Sequence, residues 1–170
     1  MKECPAIEPL EPASISEQDR SRFHDLVVEA GEVVGAALAA NIANARALVV
    51  VRDAGTIRGV AALKRPQGSY RQKIAEQAQV DLAQSAWPYE LGYIYIEPEF
   101  QGRGLSHRLV AAALKHRDGA GVFATVRVSN RRMRATLERA GFAPVGETYE
   151  GLQGGRIGLL VNAYRDDRAG

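Results

Sequence analysis

The second half of this chain alternates between two hydrophobic periods, and that alternation limits the folds open to it. Leu91 to Ile96 reads as a strand and Leu105 to Lys115 as a helix, with Leu105, Leu109, Val110, Ala113 and Leu114 on its apolar side. Val122 to Val128 reads as a strand again, and Asn130 to Ala140 as a helix. Gly141 stops that helix, because glycine takes the left-handed conformation that ends helices without a steric cost. Two more strands, near Phe142 to Tyr149 and Arg156 to Tyr164, flank the loop from Gly151 to Gly155. Strands that alternate with helices and are bracketed by hairpins predict an α/β fold, a mixed sheet with helices on both faces.

The first half supplies the remaining elements. Pro5, Pro9 and Pro12 restrict residues 1–15 to a short edge strand around Ile7 to Leu10, since proline gives a ladder no donor. Ser16 to Asp19 reads as a capping box, and behind it Phe23, Leu26, Val27, Ala30, Val33, Val34, Ala37 and Leu38 recur at helical spacing. Gly31 and Gly35 divide that run into two helices. Ala47 to Val51 and Ile57 to Leu63 are strands joined by the turn signal Asp53-Ala54-Gly55. The stretch from Arg65 to Pro88 is polar, with a short helix predicted over Tyr70 to Ala83. There is no repeat and no linker, and 170 residues suit one domain spanning 1–170.

Composition excludes several classes of function. With 22 Lys and Arg against 20 Asp and Glu, the net charge of +2 is too mild by itself to imply nucleic acid, and no nucleic-acid partner is expected, an RNA-associated basic domain being the weaker alternative. Val33 to Val51, the most membrane-like stretch, is broken by Asn41, Asn44 and Arg46 and is too polar to span a bilayer. No membrane partner is expected, the start of the chain lacks an apolar leader, and the expected location is the cytoplasm. A single cysteine, Cys4, allows neither an intrachain disulfide nor a Cys-based zinc site. His24, His107 and His116 have no partners at ligand spacing, so no metal is expected.

The informative segment is Glu97-Pro98-Glu99-Phe100-Gln101-Gly102-Arg103-Gly104-Leu105-Ser106. A strand ends there, two glycines follow and an amphipathic helix begins. The first amides of a helix have no partner within it, and the helix dipole makes that end partly positive. Glycines allow close approach and positive φ, so the junction is a candidate cradle for an anion. The plainer reading is a glycine loop that only turns the chain. Neither common phosphate motif fits, because position 107 is His where Gly-x-Gly-x-x-Gly needs its third glycine, and no Gly-Lys-Ser/Thr triplet is present.

The run from Ile94 to Ser106 resembles the acyl-CoA signature of the GNAT acyltransferase superfamily, Arg/Gln-x-x-Gly-x-Gly/Ala after a strand ending in Val/Ile-x-Pro. Gln101 and Gly104 match, and Ser106 stands where Gly or Ala is usual. A second block, Asn130 through Gly141-Phe142, resembles the family's Asn-helix-Gly-Phe block, in the right order. The resemblance implies a mixed, mostly antiparallel sheet in which two parallel strands, Leu91 to Ile96 and Val122 to Val128, splay apart to hold acetyl-CoA as cosubstrate. It implies that the backbone of Ile94, Tyr95 and Ile96 meets the pantetheine arm and the thioester. The amides of Gln101, Gly102, Arg103, Gly104, Leu105 and Ser106 would wrap the pyrophosphate. Asn130 would bond the pantetheine, or serve as a helix cap, or both.

The chemistry implied is N-acetyl transfer from acetyl-CoA to a small-molecule or peptide amine, by direct attack in a ternary complex. An alkylammonium has no lone pair, so a base must remove its proton. Glu90, six positions before Ile96, stands where some family members carry that base; the plain alternative is a strand-end glutamate in solvent. Glu97, at the cofactor loop, is the weaker candidate. Many members place an acidic Tyr seven residues after the Asn, but position 137 here is Leu137. Another donor (Tyr93, Tyr95, Tyr149 or Ser129), proton return by water, or an impaired module that only binds acyl-CoA or a partner protein all remain open. Arg127, Arg131, Arg132, Arg134 and Arg139 read as a solvated face or as contacts for the 3′-phosphate of CoA. Trp87, Tyr89 and Tyr93 read as core packing or as an aromatic wall for the acceptor. A homodimer is compatible with the family, in which dimers are common.

Overall fold

The structure is a computed structural model, and it describes residues 4–31 and 37–164. In chain order its elements are β1 (Ala6–Leu10), α1 (Glu17–Glu29), α2 (Leu38–Ala43), β2 (Ala47–Asp53), β3 (Thr56–Lys64), α3 (Gly68–Ala78), β4 (Tyr89–Ile96), α4 (Leu105–Leu114), β5 (Val122–Arg127), α5 (Arg131–Arg139), β6 (Ala143–Glu150) and β7 (Arg156–Asn162). The chain divides into two compact units, one of Met1–Arg65 with Leu91–His116 and one of Pro66–Glu90 with Arg117–Gly170. β1 pairs antiparallel with β2, β2 with β3, β5 with β7 and β6 with β7. β4 and β5 run parallel, in register at Tyr89↔Val122 and Glu90↔Phe123. The sheet is therefore mixed and mostly antiparallel, as expected.

In the first unit the strands follow the order β1-β2-β3-β4. Ser16 caps α1, its Oγ accepting the Asp19 amide at 3.1 Å, and turns Phe23, Leu26 and Val27 inward. Those three residues join Leu38 and Ile42 of α2 over Leu48, Val50, Val60 and Ala62. Leu48 faces Ala62 and Val50 faces Val60, so this cluster takes every second residue of the hairpin. The residues between them, Val49, Val51, Ala61 and Leu63, are equally buried, and α4 packs on β1, β2 and β3. Helices thus cover both faces, which is why β2 is a continuous apolar run rather than an alternating one. Ala54 and Gly55 both have positive φ, 46° and 80°, forming a two-residue hairpin turn between the paired Asp53 and Thr56. Val33, Val34 and Gly35, read above as helical or as a break, lie outside the described residues.

In the second unit β7 lies between β5 and β6. Ile74, Ala78 and Leu82 pack on Phe123 and Leu159, with Trp87, Val145, Tyr149 and Val161 around them. The helix predicted over Tyr70 to Ala83 starts two residues earlier and stops at Ala78. Gln79 takes φ 55°, and the Gln79 and Val80 amides bond back to Glu76 and Ala75 carbonyls. This left-handed C-cap ends the helix without a glycine. Asn130 caps α5, and Gly141, at φ 97°, closes its other end. β4 begins at Tyr89 rather than Leu91, which places Glu90 inside the strand.

Candidate functional site

The residues singled out by the sequence form two groups, one in each unit. In the first unit β4 ends at the buried Ile96, whose Cδ1 occupies the space beside Gly59; a Cβ at position 59 would fall 2.5 Å from it. Glu97 continues the ladder, its amide donating to Arg58 O at 2.9 Å. Its carboxylate accepts hydrogen bonds from Arg22 and, at 3.1 Å, from Arg58 Nη1. Glu97 is therefore committed to two guanidinium groups, a bracing role rather than that of a base. Pro98–Phe100 makes one tight turn, and the guanidinium groups of Arg58 and Arg103 sit 5.4 Å and 4.9 Å from the Phe100 ring centre.

After that turn the backbone opens. Gln101 is engaged twice: its amide donates to Pro98 O at 3.3 Å and its Nε2 to Ile96 O at 2.9 Å, tying the loop to the end of β4. Gly102 and Gly104 take φ 75° and 72°, and a Cβ at either would meet nothing within 4 Å. Their conformation, not crowding, calls for glycine. The amides of Gly102, Arg103, Gly104, Leu105, Ser106 and His107 make no hydrogen bond within the described residues; the first internal bond of the helix start is Arg108 N to Gly104 O. Six uncommitted amides at the positive end of a ten-residue helix suit a diphosphate, so the residues present fit the nucleotide carrier expected from the sequence.

Within β4, Tyr93 has φ 56°, a left-handed residue in mid-strand that turns the backbone just before Ile94. Asn41 Nδ2 donates to the Tyr93 hydroxyl at 3.2 Å, and Lys64 Nζ lies 4.4 Å from the centre of its ring. Gly92 admits Lys64, since a Cβ there would stand 2.7 Å from Lys64 Cε. Tyr93 and Tyr95 both pack against the cluster under α1 and α2. Burial, and then the Glu29 carboxylate, raises the Tyr95 phenol.

In the second unit Glu90 is 2% exposed, so the solvent-facing reading of this residue is overturned. Its Oε1 accepts the Tyr70 hydroxyl, from the first turn of α3, at 3.1 Å. Tyr70 is 41% exposed as a whole, and Thr125 of β5 lies close enough to its phenol to affect its ionisation. Burial, then the charge of Glu90, raises the Tyr70 phenol well above its usual range. Burial and Glu90 push Tyr149 up to about 12. Arg71, 6% exposed, donates to the carbonyls of Trp87 and Pro88, stacks on Phe123 and feels the Glu90 charge. Its cation balances the buried carboxylate and fixes the segment that leads into β4. Tyr70, Arg71 and Thr125 were missed by the sequence reading. An aromatic opening a predicted polar helix is the only signal that pointed toward Tyr70.

Asn130 Oδ1 accepts the Met133 amide at 3.1 Å, so the cap is real, and its Nδ2 is left for another acceptor. Leu137 is 1% exposed and packs as the buried residue of α5, where no acid could act. Trp87 packs against Gly121, and Tyr89 OH donates to Asp118 at 2.9 Å, which favours packing over an acceptor wall for both. Arg127 Nη1 donates to Gly154 O and Arg134 Nη1 to Val128 O, while Arg131, Arg132 and Arg139 are exposed. Among the described residues no three His, Cys, Asp or Glu side chains gather as a metal site requires, and no helix is long and apolar enough to cross a membrane.

Comparison with known proteins follows the same lines. The profile of the acetyltransferase (GNAT) family matches residues 3–142. No curated protein matches by sequence. Among solved structures, Escherichia coli ElaA superposes with a TM-score of 0.64 at 14% identity, over 94% of this chain and 99% of its own. The yncA protein of Salmonella typhimurium, solved with its cofactor acetyl-CoA, gives 0.67 at 14% identity over 99% and 98%. A chain of the NatC complex bound to Gag peptide and CoA gives 0.69 at 16% identity over 95% and 99%.

Proposed function

Because the chain belongs to the acetyltransferase (GNAT) family, we propose that it is an N-acyltransferase that moves an acetyl group from acetyl-CoA to an amine acceptor by direct attack in a ternary complex. The observation that carries this reading is the row of uncommitted amides from Gly102 to His107 at the start of α4. When bound, acetyl-CoA supplies an activated thioester. Gly102, Arg103, Gly104, Leu105 and Ser106 would hold its pyrophosphate by their amides, while Gln101 would shape the loop from behind. Ile94, Tyr95 and Ile96 would offer backbone groups to the pantetheine arm and the acyl carbonyl, and the left-handed Tyr93 supports this by reorienting the peptide ahead of Ile94. Asn130 would add Nδ2 to its capping role. In this reading the whole chain works as one acyl-transfer domain.

Glu90 would take the acceptor's proton. Its burial supports the role, since a carboxylate shielded from water is held for a specific partner and not spent on solvent. With Leu137 sealed in packing, the acid that returns a proton to the leaving thiolate is either water or a phenol near Glu90. The thiolate is a tolerable leaving group, so positioning and backbone contacts would provide most of the acceleration.

The test is acetyl-CoA at millimolar concentration with a panel of amines, read as a rise in melting temperature and as thiol release. A ligand at a hundred times its Kd adds about 2.7 kcal/mol of stability, an easily read shift. Thiol release that depends on both acetyl-CoA and amine, and that falls about 10²-fold or more in Glu90→Gln, is the expected result. Melting unmoved by any short acyl-CoA would sink the reading. The buried Leu137 favours one alternative, a module that binds acyl-CoA without turning it over; a melting shift without thiol release would select it.

A further inference from the structure

The basic side chains after β5 fall into two kinds. Arg127 Nη1 donates to Gly154 O at 2.9 Å and Arg134 Nη1 to Val128 O at 3.3 Å, so both guanidinium groups brace the second unit's own loops. Arg131, Arg132 and Arg139 of α5 are exposed, and none makes a hydrogen bond or ion pair among the described residues. Their placement on the helix is one-sided. At about 100° of rotation per residue, Arg131, Ala135, Arg139 and Arg132 lie within about 100° of arc, on the side away from the buried Leu137. Glu138 is the helix's one carboxylate, and no ion pair joins it to them among the described residues.

These arginines also sit where the helix itself disfavours them. Arg131 and Arg132 open α5, at its partly positive end, and the first turn carries no acidic residue. Cations gathered on one small face oppose each other and the helix dipole, a cost that an anionic partner relieves. The spacing indicates the form of that partner. Arg131 and Arg139 stand about 12 Å apart along the helix axis, and every fourth residue of an extended chain recurs on one face at about 13 Å. The exposed Ala135 between them is short enough to let a backbone approach. No aromatic residue stands on α5 for a base to stack on, and the net charge is only +2, which argues for carboxylates over a nucleic acid.

We propose that the outer face of α5 is a docking surface for an extended acidic segment of a partner polypeptide. Arg131 and Arg139 grip carboxylates spaced along one face of that segment, each by the paired hydrogen bonds a planar guanidinium offers. Arg132 broadens the patch at the first turn. The surface lies wholly in the second unit and is independent of the acyl-transfer reading.

The test is fluorescence polarisation of a labelled peptide of alternating Glu and Thr with the full chain at about 0.1 M salt, where remote charges are screened. The peptide should bind the wild type, and bind Arg131→Gln/Arg132→Gln/Arg139→Gln about tenfold less tightly or worse. Arg20→Gln/Lys73→Gln/Lys115→Gln removes the same charge at exposed positions elsewhere and should stay within about twofold of the wild type. Equal losses in the two triple variants would mean that only net charge attracts the peptide and would overturn the proposal, as would no binding by the wild type. An oligoadenylate of equal charge held more tightly by the same arginines would overturn it in favour of a nucleic acid. A melting shift that shrinks in the α5 variant with CoA, but not with CoA lacking the 3′-phosphate, would assign the arginines to the nucleotide instead. A second measurement needs no ligand. Glutamine matches arginine in helix propensity, so Arg131→Gln/Arg132→Gln should melt about 2–4 °C above the wild type by taking charge off the positive helix end. A lower melting temperature would show that the chain itself engages these side chains, and would remove the open surface on which docking depends.

Discussion

Gly146 of β6 lies directly against the Ala78 carbonyl of α3: a Cβ at position 146 would stand 2.2 Å from that oxygen and 2.3 Å from Val80 Cγ2. Gly146 also has φ 67°, so both space and conformation demand glycine there. Gly146→Ala is expected to cost about 1–3 kcal/mol for overpacking, with roughly 1–2 kcal/mol more for the left-handed backbone. An unfolding free energy from urea titration within about 0.5 kcal/mol of the wild type would contradict the packing of α3 on β6 described above.

The brace at Glu97 predicts a different kind of defect. Glu97→Gln leaves Arg22 and Arg58 without their shared carboxylate at the root of the anion loop. The acetyl-CoA KM should rise several-fold while kcat at saturation stays within about twofold, since the variant disturbs binding and not the reacting atoms. A fall in kcat with unchanged KM would instead assign Glu97 to the chemistry.

Asn130 allows its two roles to be separated. Asn130→Ala should lose about 1 kcal/mol from the missing cap, whereas Asn130→Ser keeps an oxygen for the Met133 amide and should be close to wild-type stability. If Nδ2 serves the pantetheine, the Ser variant will nonetheless show a raised acetyl-CoA KM. Wild-type kinetics in Asn130→Ser would leave the residue as a cap alone.

Stability should fall in strong alkali because of the phenols around Glu90. An unfolded tyrosine ionises near pH 10, while Tyr149 in the folded chain is pushed up to about 12 and Tyr70 is raised as well. The folded state then binds more protons than the unfolded one above about pH 10, so this contribution is intact below that pH and lost as the pH climbs toward 12. Urea midpoints measured between about pH 9 and 11 should drop less steeply in Tyr149→Phe than in the wild type. Equal slopes would show that Tyr149 ionises in the folded chain as it does in the unfolded one.

The sequence made the elements legible wherever a hydrophobic period ran uninterrupted between clear punctuation. β2, β3, α4 and α5 lie within one or two residues of their predicted ends, because Gly55, Gly104, Asn130 and Gly141 mark those boundaries by their own backbone preferences. α3 ran short because Gln79 adopts a left-handed cap that its residue type does not advertise. At the site, the anion loop could be read because glycine spacing is a local signal. The surroundings of Glu90 could not, since Tyr70 and Tyr149 come from separate elements and only tertiary packing brings them to one carboxylate. Glu97 looked like a candidate base for the same reason, its partners Arg22 and Arg58 being 75 and 39 residues away.

β2 is enclosed on both sides, with Ala47 to Val51 all buried, whereas most of β6 faces water. A substitution in the first must be absorbed by two layers at once, and few residue types can satisfy both. In the second, apart from Gly146, Val145, Tyr149 and Thr148, whose hydroxyl accepts from Arg156, a new side chain meets mostly solvent. Mutational drift in this protein therefore has one rail on which it is almost forbidden and another on which it is nearly free, and labels, tethers or charge changes are best introduced along the outward residues of the latter.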